Sequence, residues 1–240
     1  MARRDRPYDP AMCGRMTLAR WDVHELAALL GADLLPEHAA LFRPRYNLAP
    51  TQQGWIVRVV GGRRRLLPAT WGLQGPRGPV INARAETAGR LPTFRPLVAG
   101  GRCVVPADGF FEWEGRRGAR EPLWFHPGQG PLLMAGLHRD GPGGGFVVLT
   151  TAASGAVRPV HDRMPALLTA AEAGAWLERP DLSLLRPAPD DRLEAFRVSD
   201  RVNSAAVDDP SCVAPIPRLA PAQGSLALGG RPPPERDGRA

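Results

Sequence analysis

The chain has 240 residues, 43% of them hydrophobic, with 31 basic against 24 acidic side chains, a net charge of +7 and a pI near 10.7. That is enough chain for one substantial core, no stretch nears the roughly 18 unbroken apolar residues a membrane helix needs, and the first dozen residues lack the apolar run of a secretory signal. One cytoplasmic domain with a polyanionic partner is expected, since excess positive charge speaks to association. The three cysteines, Cys13, Cys103 and Cys212, fit neither a disulfide framework nor a Cys-x-x-Cys metal site, so a reducing compartment and no metal or other cofactor are expected.

In chain order, Asp22 and Glu25 have capping-box spacing before an apolar face that runs to Leu30, and Gly31 supplies a stop, which predicts a short helix. Residues 54–60 and 64–71 flank Gly61-Gly62 and predict a β-hairpin, with Pro68 placing its second strand at a sheet edge. Strands are predicted at 102–105, 110–114, 122–125, 132–137 and 146–151, separated by glycine-rich turns such as 115–118 and 141–145. Thr169 with Glu172 opens a second helix through Leu177, and 193–198 reads as a last strand. From about Arg218 the chain is rich in Pro, Gly, Ala and Arg without apolar periodicity, so a disordered tail is expected over 217–240.

All 31 basic residues are arginine; the chain has no lysine. Imine chemistry with a carbonyl substrate therefore has no side-chain amine to use and falls to the α-amine of the N-terminal residue. In Met12-Cys13-Gly14-Arg15, a small residue after methionine lets an aminopeptidase expose Cys13 if translation begins at Met12. An N-terminal cysteine joins an amine of reference pKa about 7.7–8 to a thiol of about 8.5, both partly reactive near neutrality. The amine condenses with an aldehyde to an imine and the thiolate closes a thiazolidine ring. A buried free cysteine before a glycine turn is the bland alternative for this tetrapeptide.

Three more segments place chemistry-bearing side chains at turns or strand ends. In residues 81–87, Asn82 is suited to orienting a hydroxyl and Arg84 to gripping a phosphate. In residues 107–113, Glu112 stands in an aromatic strand where burial would raise a carboxyl pKa towards acid–base use, or where it forms half of a structural ion pair. In residues 161–165, His161 follows a strand and a loop of small residues, a setting for a group that titrates near operating pH.

Taken in this order, the four segments resemble the SRAP (SOS response-associated peptidase) family. Supporting matches at Arg45-Tyr46-Asn47-Leu48-Ala49-Pro50, Trp71-Gly72, Phe94-Arg95-Pro96, Gly101-Arg102-Cys103, Thr150 and Val202-Asn203 extend the resemblance over about residues 12–216. The resemblance implies an α+β fold, a single domain of mainly antiparallel sheets forming a barrel-like core with flanking helices. It also implies a monomer that crosslinks covalently to abasic sites in single-stranded DNA, shielding the lesion, with self-processing peptidase activity. By motif position Cys13 is the nucleophile, Asn82 and Glu112 assist at the amine and sugar carbon, and His161 acts on the sugar oxygen. DNA contacts are implied for Arg15, Asn47, Trp71, Arg84, Phe94, Pro96 and Thr150, with Arg15 and Arg84 on phosphates.

Two departures stand out. Residues 1–11 precede Met12, and an acylated Cys13 has no free amine, so a misassigned start or cleavage before Cys13 is expected. The short loop Gly75-Pro76-Arg77-Gly78 lacks the tryptophan many members carry there, which lowers the stacking available to a base, with Arg77 a partial substitute. Competing readings are an N-terminal-nucleophile glutamine amidotransferase, a cysteine peptidase built on Cys13, His161 and Glu112, and a non-catalytic single-stranded DNA-binding module.

Overall fold

In the computed structural model, residues 14–116 and 119–216 are described. The expected tail at 217–240, the extension at 1–11 and Cys13 itself lie outside them. The first described elements are β1 (Met16–Leu18), α1 (Val23–Leu30), α2 (Pro36–Ala39), β2 (Arg45–Leu48), β3 (Gln53–Val60) and β4 (Arg63–Thr70). There follow β5 (Leu73–Gly75), β6 (Gly78–Val80), β7 (Asn82–Arg84), α3 (Ala85–Ala88), α4 (Arg95–Gly100), β8 (Arg102–Ala107), β9 (Gly109–Arg116) and β10 (Ala119–His126). The last are β11 (Leu132–Arg139), β12 (Gly145–Ala152), β13 (Arg163–Pro165), β14 (Leu167–Leu168), α5 (Ala170–Glu178) and β15 (Glu194–Arg197).

Local chemistry explains the elements that were expected. Asp22 and Glu25 exchange both bonds of the capping box at the start of α1, and Gly31 ends the helix in the left-handed conformation. Thr169 and Glu172 do the same for α5. Gly61 and Gly62 turn the β3–β4 hairpin at φ +59° and +77°, a pair of positive values that only glycine adopts without strain. β4 is the outer strand of its sheet, where Pro68, lacking an N–H, costs no ladder bond.

The strands form two main sheets. One has the order β15–β10–β9–β1–β2, antiparallel throughout; the other runs β13–β12–β11–β8–β3–β4, with β14 added to β11 and β7 lying parallel to β12. β5 and β6 make a small separate hairpin, and the Gly75–Gly78 loop is its turn. A single bridge from Trp71 to Phe146 brings the chain after β4 back against β12, which curls the larger sheet. Each strand order still runs between two free ends, and no closed barrel is found among the described residues.

Three apolar clusters fill the layers. Met16, Phe110 and Phe125 from the smaller sheet meet Ile56, Val105, Met134 and Val148 from the larger. The other face of the larger sheet packs Val57, Val104 and Val147 against Leu26 of α1 and Trp176 of α5. On the outer face of the smaller sheet, Phe111 and Trp124 are covered by Val198, Val202 and Cys212. Burial pushes the Cys103 thiol up from its ordinary range, so it is an inert core residue.

Asp108, between β8 and β9, accepts the backbone N–H groups of Ala19 and Arg20 and so fixes the exit of β1. Burial raises its carboxyl pKa, and the two amide bonds and the Arg20 charge only partly oppose this. Asp108→Ala would strand both amides, and urea unfolding should report a loss of about 1–3 kcal/mol.

Candidate functional site

The site is set by face and register. Adjacent paired residues in a sheet point to the same side, and residues two apart on a strand share a face. Glu112 therefore shares the face of β9 that carries Phe110, and Asn82, level with Val148, shares that residue's face of the larger sheet. Phe110 and Val148 belong to one inter-sheet cluster, so Asn82 and Glu112 point from opposing sheets into the same layer. Both are 2% exposed, rare burial for an amide and a carboxyl. Arg15 N-terminally precedes β1, and its carbonyl accepts the amide of Phe111. Continuing the Met16–Phe110 register puts Gly14, the first described residue, level with Glu112.

Arg15 projects to the other face of the smaller sheet. It donates to Asn47 Oδ1 at 2.9 Å, to the Val202 carbonyl at 2.5 Å and to the Asn203 carbonyl at 3.1 Å. None of these acceptors is a carboxylate, so its charge is not neutralised there. Asn47 is the hub of this arrangement. Its Nδ2 donates to the carbonyls of Val202, Ser204 and Val207, while Asp208 accepts the main-chain amides of Tyr46 and Asn47 and pairs with Arg45.

The end of β12 carries the second group. Thr150 lies level with Arg84 across the parallel pair, and its hydroxyl donates to the Ala83 carbonyl at 3.3 Å. Arg163 reaches back to the Thr150 carbonyl and binds Glu86 bidentately at 2.6 and 2.7 Å. The loop between β12 and β13 is tied down at both ends. Ser154 donates to the Ala188 carbonyl at 2.6 Å, Asp190 accepts the Gly155 amide at 2.8 Å, and Gly155, at φ +47°, lies where a Cβ would come within 2.1 Å of the Asp190 carbonyl. The loop ends at His161, whose amide donates to the Val157 carbonyl.

Two neighbours approach His161 Nδ1: the backbone N–H of Arg163 at 2.9 Å and Asp162 Oδ1 at 3.1 Å. They demand opposite protonation of the same atom. The amide can only donate and its position is fixed by the main chain, whereas the Asp162 side chain is 69% exposed and free to turn. Nδ1 is therefore the acceptor, and the proton of the neutral ring sits on Nε2, which makes no hydrogen bond among the described residues.

Four of the expected DNA contacts lie buried in the protein. Trp71 is fully buried, stacked on Phe146 with its Nε1 donating to the Ile81 carbonyl; it offers no face to a base. Phe94 is a core residue at the N-terminus of α4, Thr150 is spent on Ala83 and Arg163, and Asn47 is spent on the 202–207 turn and Arg15. Such motif residues build the walls rather than the surface. Pro96 is exposed in the first turn of α4, and Arg15 and Arg84 are half-buried. Glu86, Arg163, Ser154 and Asp190 were not singled out beforehand. Glu86 and Arg163 sat as opposite charges inside two of the segments of interest, the one available signal. Among the described residues no three His, Cys, Asp or Glu side chains converge on a metal position, and no helix is long and apolar enough to cross a membrane.

Burial pushes the Glu86 carboxyl up, but the Arg163 hydrogen bond, a backbone bond and the charges of Arg163 and Arg84 outweigh it, leaving a lowered pKa. A carboxyl lowered by folding contributes stability that is complete above its ordinary pKa and is lost as pH falls through the folded value. The stability difference between wild type and Glu86→Gln should accordingly be larger at pH 7 than at pH 3 by chemical denaturation; an equal difference at both would show that the pair is not ionic. Because Glu86 is half exposed, the effect should be modest.

Residues 12–205 match the family described as SOS response associated peptidase (SRAP). The chain is 33% identical over 224 residues to the abasic site processing protein YoqW of Bacillus subtilis, covering 84% of this chain and 99% of that one. It is 31% identical over 181 residues to the abasic site processing protein YedK of Escherichia coli, covering 70% and 80%. It is 30% identical over 227 residues to the abasic site processing protein HMCES of Gallus gallus, covering 73% and 67%. Among solved structures, a Bacteroides thetaiotaomicron protein superposes with TM-score 0.70 at 22% identity over 85% of this chain and 100% of its own, and so shares the fold. A phage-related protein of Bordetella bronchiseptica does so with TM-score 0.64 at 28% identity over 78% and 94%. With the family match spanning most of its length, the chain belongs to the SRAP family.

Proposed function

We propose that this chain processes abasic sites in single-stranded DNA, capturing the ring-opened sugar covalently on Cys13 and shielding the lesion. The observation that carries the reading is the pair of buried polar residues, Asn82 and Glu112, aimed from opposite sheets into one layer beside the start of the described chain. An amide and a carboxyl buried in this layer must each be given polar partners to fold there, and catalytic use is a reason to retain both. The names of the relatives point to the same substrate.

In this reading the active species begins at Cys13, either by initiation at Met12 or by cleavage before Cys13 with the same residues. His161 Nε2–H hydrogen-bonds the ring oxygen and stabilises the charge it gathers, while the proton of the anomeric hydroxyl passes to that oxygen and the sugar opens to the aldehyde. The Cys13 amine adds to the aldehyde carbon and loses a proton, which Glu112 carries. Water leaves to give the imine, and the Cys13 thiolate adds to the imine carbon while the nitrogen takes up a proton. The net change is one thiazolidine formed and one water lost. Asn82 orients the sugar hydroxyl, and Arg15 and Arg84 hold flanking phosphates, with Pro96 at the rim. Lyase-like and self-processing peptidase chemistry, a monomeric state, a cytoplasmic setting and a barrel-like description of the curled larger sheet belong to the same reading.

Protein beginning at Cys13, mixed with single-stranded DNA bearing one abasic site, should give a denaturation-resistant shifted band. No band, or an equal band with Cys13→Ala, would sink the proposal. Glu112→Gln and His161→Ala should each form the adduct about 10²-fold more slowly with DNA binding retained. Arg15→Gln should weaken binding and reduce the slope of log affinity against log salt by about 0.7, the increment of one phosphate on a single strand; an unchanged slope would remove Arg15 from the backbone contacts.

A further inference from the structure

We propose that Glu86 is a positioning residue for His161, acting through Arg163. The catalytic half of this rests on the function proposed above, whereas the structural half stands on its own.

Arg163 does two things at once. Its main-chain N–H is the donor that keeps His161 Nδ1 unprotonated, and its guanidinium is buried behind β12. A guanidinium that is only about a tenth exposed must be neutralised, and among the described residues Glu86 is the carboxylate that does so, with two parallel bonds. Its remaining acceptors, the carbonyl and hydroxyl of Thr150, are uncharged, and its Nε has no partner. Without Glu86 the cation has reason to leave for solvent, and the start of β13 moves with it.

The consequence for His161 follows from the second neighbour of Nδ1. Asp162 Oδ1 already lies 3.1 Å from that atom. While the Arg163 amide occupies Nδ1, the ring proton is on Nε2 and can be donated in a hydrogen bond. When the amide withdraws, Asp162 favours a proton on Nδ1, and the neutral ring then offers Nε2 as an acceptor, the wrong role for hydrogen-bonding a ring oxygen. The charged groups on the loop that carries the ring and bonded to its end are Asp162 and Arg163, Arg158 paired with Asp190 across the loop base, and Glu86 of α3 with Arg84 just before it. Of these, only Glu86 is bonded to the residue that sets the tautomer.

The test is a tautomer measurement together with a rate. In protein labelled with 15N at histidine, the ring signals absent from His161→Ala should show, at neutral pH, an unprotonated Nδ1 and a protonated Nε2. In Glu86→Ala they should move towards a protonated Nδ1. Glu86 is half exposed, so the variant is expected to fold, and its amide spectrum checks this. At saturating abasic single-stranded DNA, Glu86→Ala should form the adduct about tenfold more slowly, while Glu86→Gln, which keeps one acceptor for Arg163, should recover part of the rate. Affinity for undamaged DNA should change by less than about twofold, since Glu86 is not itself a phosphate ligand. An unchanged His161 tautomer in folded Glu86→Ala overturns the proposal. Absence of any adduct with wild type would overturn the function proposed above, while the tautomer shift would still decide the role of Glu86.

Discussion

Strand β1 is three residues long and is paired on both sides, to β9 through Met16–Phe110 and to β2 through Met16–Leu48. The rest of the site depends on that placement. A terminal segment with one bonded edge would fray, whereas one threaded through the middle of a sheet is held as firmly as the sheet itself. Because β1 is central, Gly14 arrives level with Glu112, Arg15 is handed to the outer face, and Asp108 fixes where the chain leaves. Asn47 extends the same constraint to the C-terminal segment, since one amide joins the Arg15 side chain to three carbonyls of the 202–207 turn.

Much of the local structure was legible because its signals are local. The capping boxes at Asp22–Glu25 and Thr169–Glu172, the Gly61-Gly62 turn and the edge position of Pro68 each rest on chemistry within a few residues. β1 was not legible: Met-Thr-Leu between Arg15 and Ala19 is too short to display a period of two. β5 to β7 lie in a stretch of glycine and proline that reads as loop, and the parallel pairing of β7 with β12 joins residues 66 positions apart, as Val148 with Asn82 shows. No local pattern announces such a pair.

The site was legible as a set of segments but not as a set of surfaces. Family resemblance located Asn82, Glu112 and His161 in segments that the fold brings to the inter-sheet layer and to the end of β12. It did not distinguish side chains that face a substrate from those that hold the walls. Trp71 stacks on Phe146 and Asn47 holds a turn, and each was as prominent in sequence as Arg15. Burial and hydrogen-bond partners separate the two kinds, and neither is a property of a motif. The same distinction brings forward Glu86 and Arg163, which in sequence are ordinary charges.

The proposed chemistry in turn depends on composition. A chain without lysine has no side-chain amine for an imine, so the only amine is at the N-terminus, and the fold brings the chain's first described residues to a buried carboxyl. The most direct measurement of that claim is the mass of the crosslinked peptide after digestion at arginine, which releases Cys13-Gly14-Arg15 as a tripeptide. The account predicts a tripeptide carrying the sugar with one water lost and a thiol that no longer reacts with an alkylating reagent. A sugar on any other peptide, or an adduct whose Cys13 thiol is still alkylated, would contradict it.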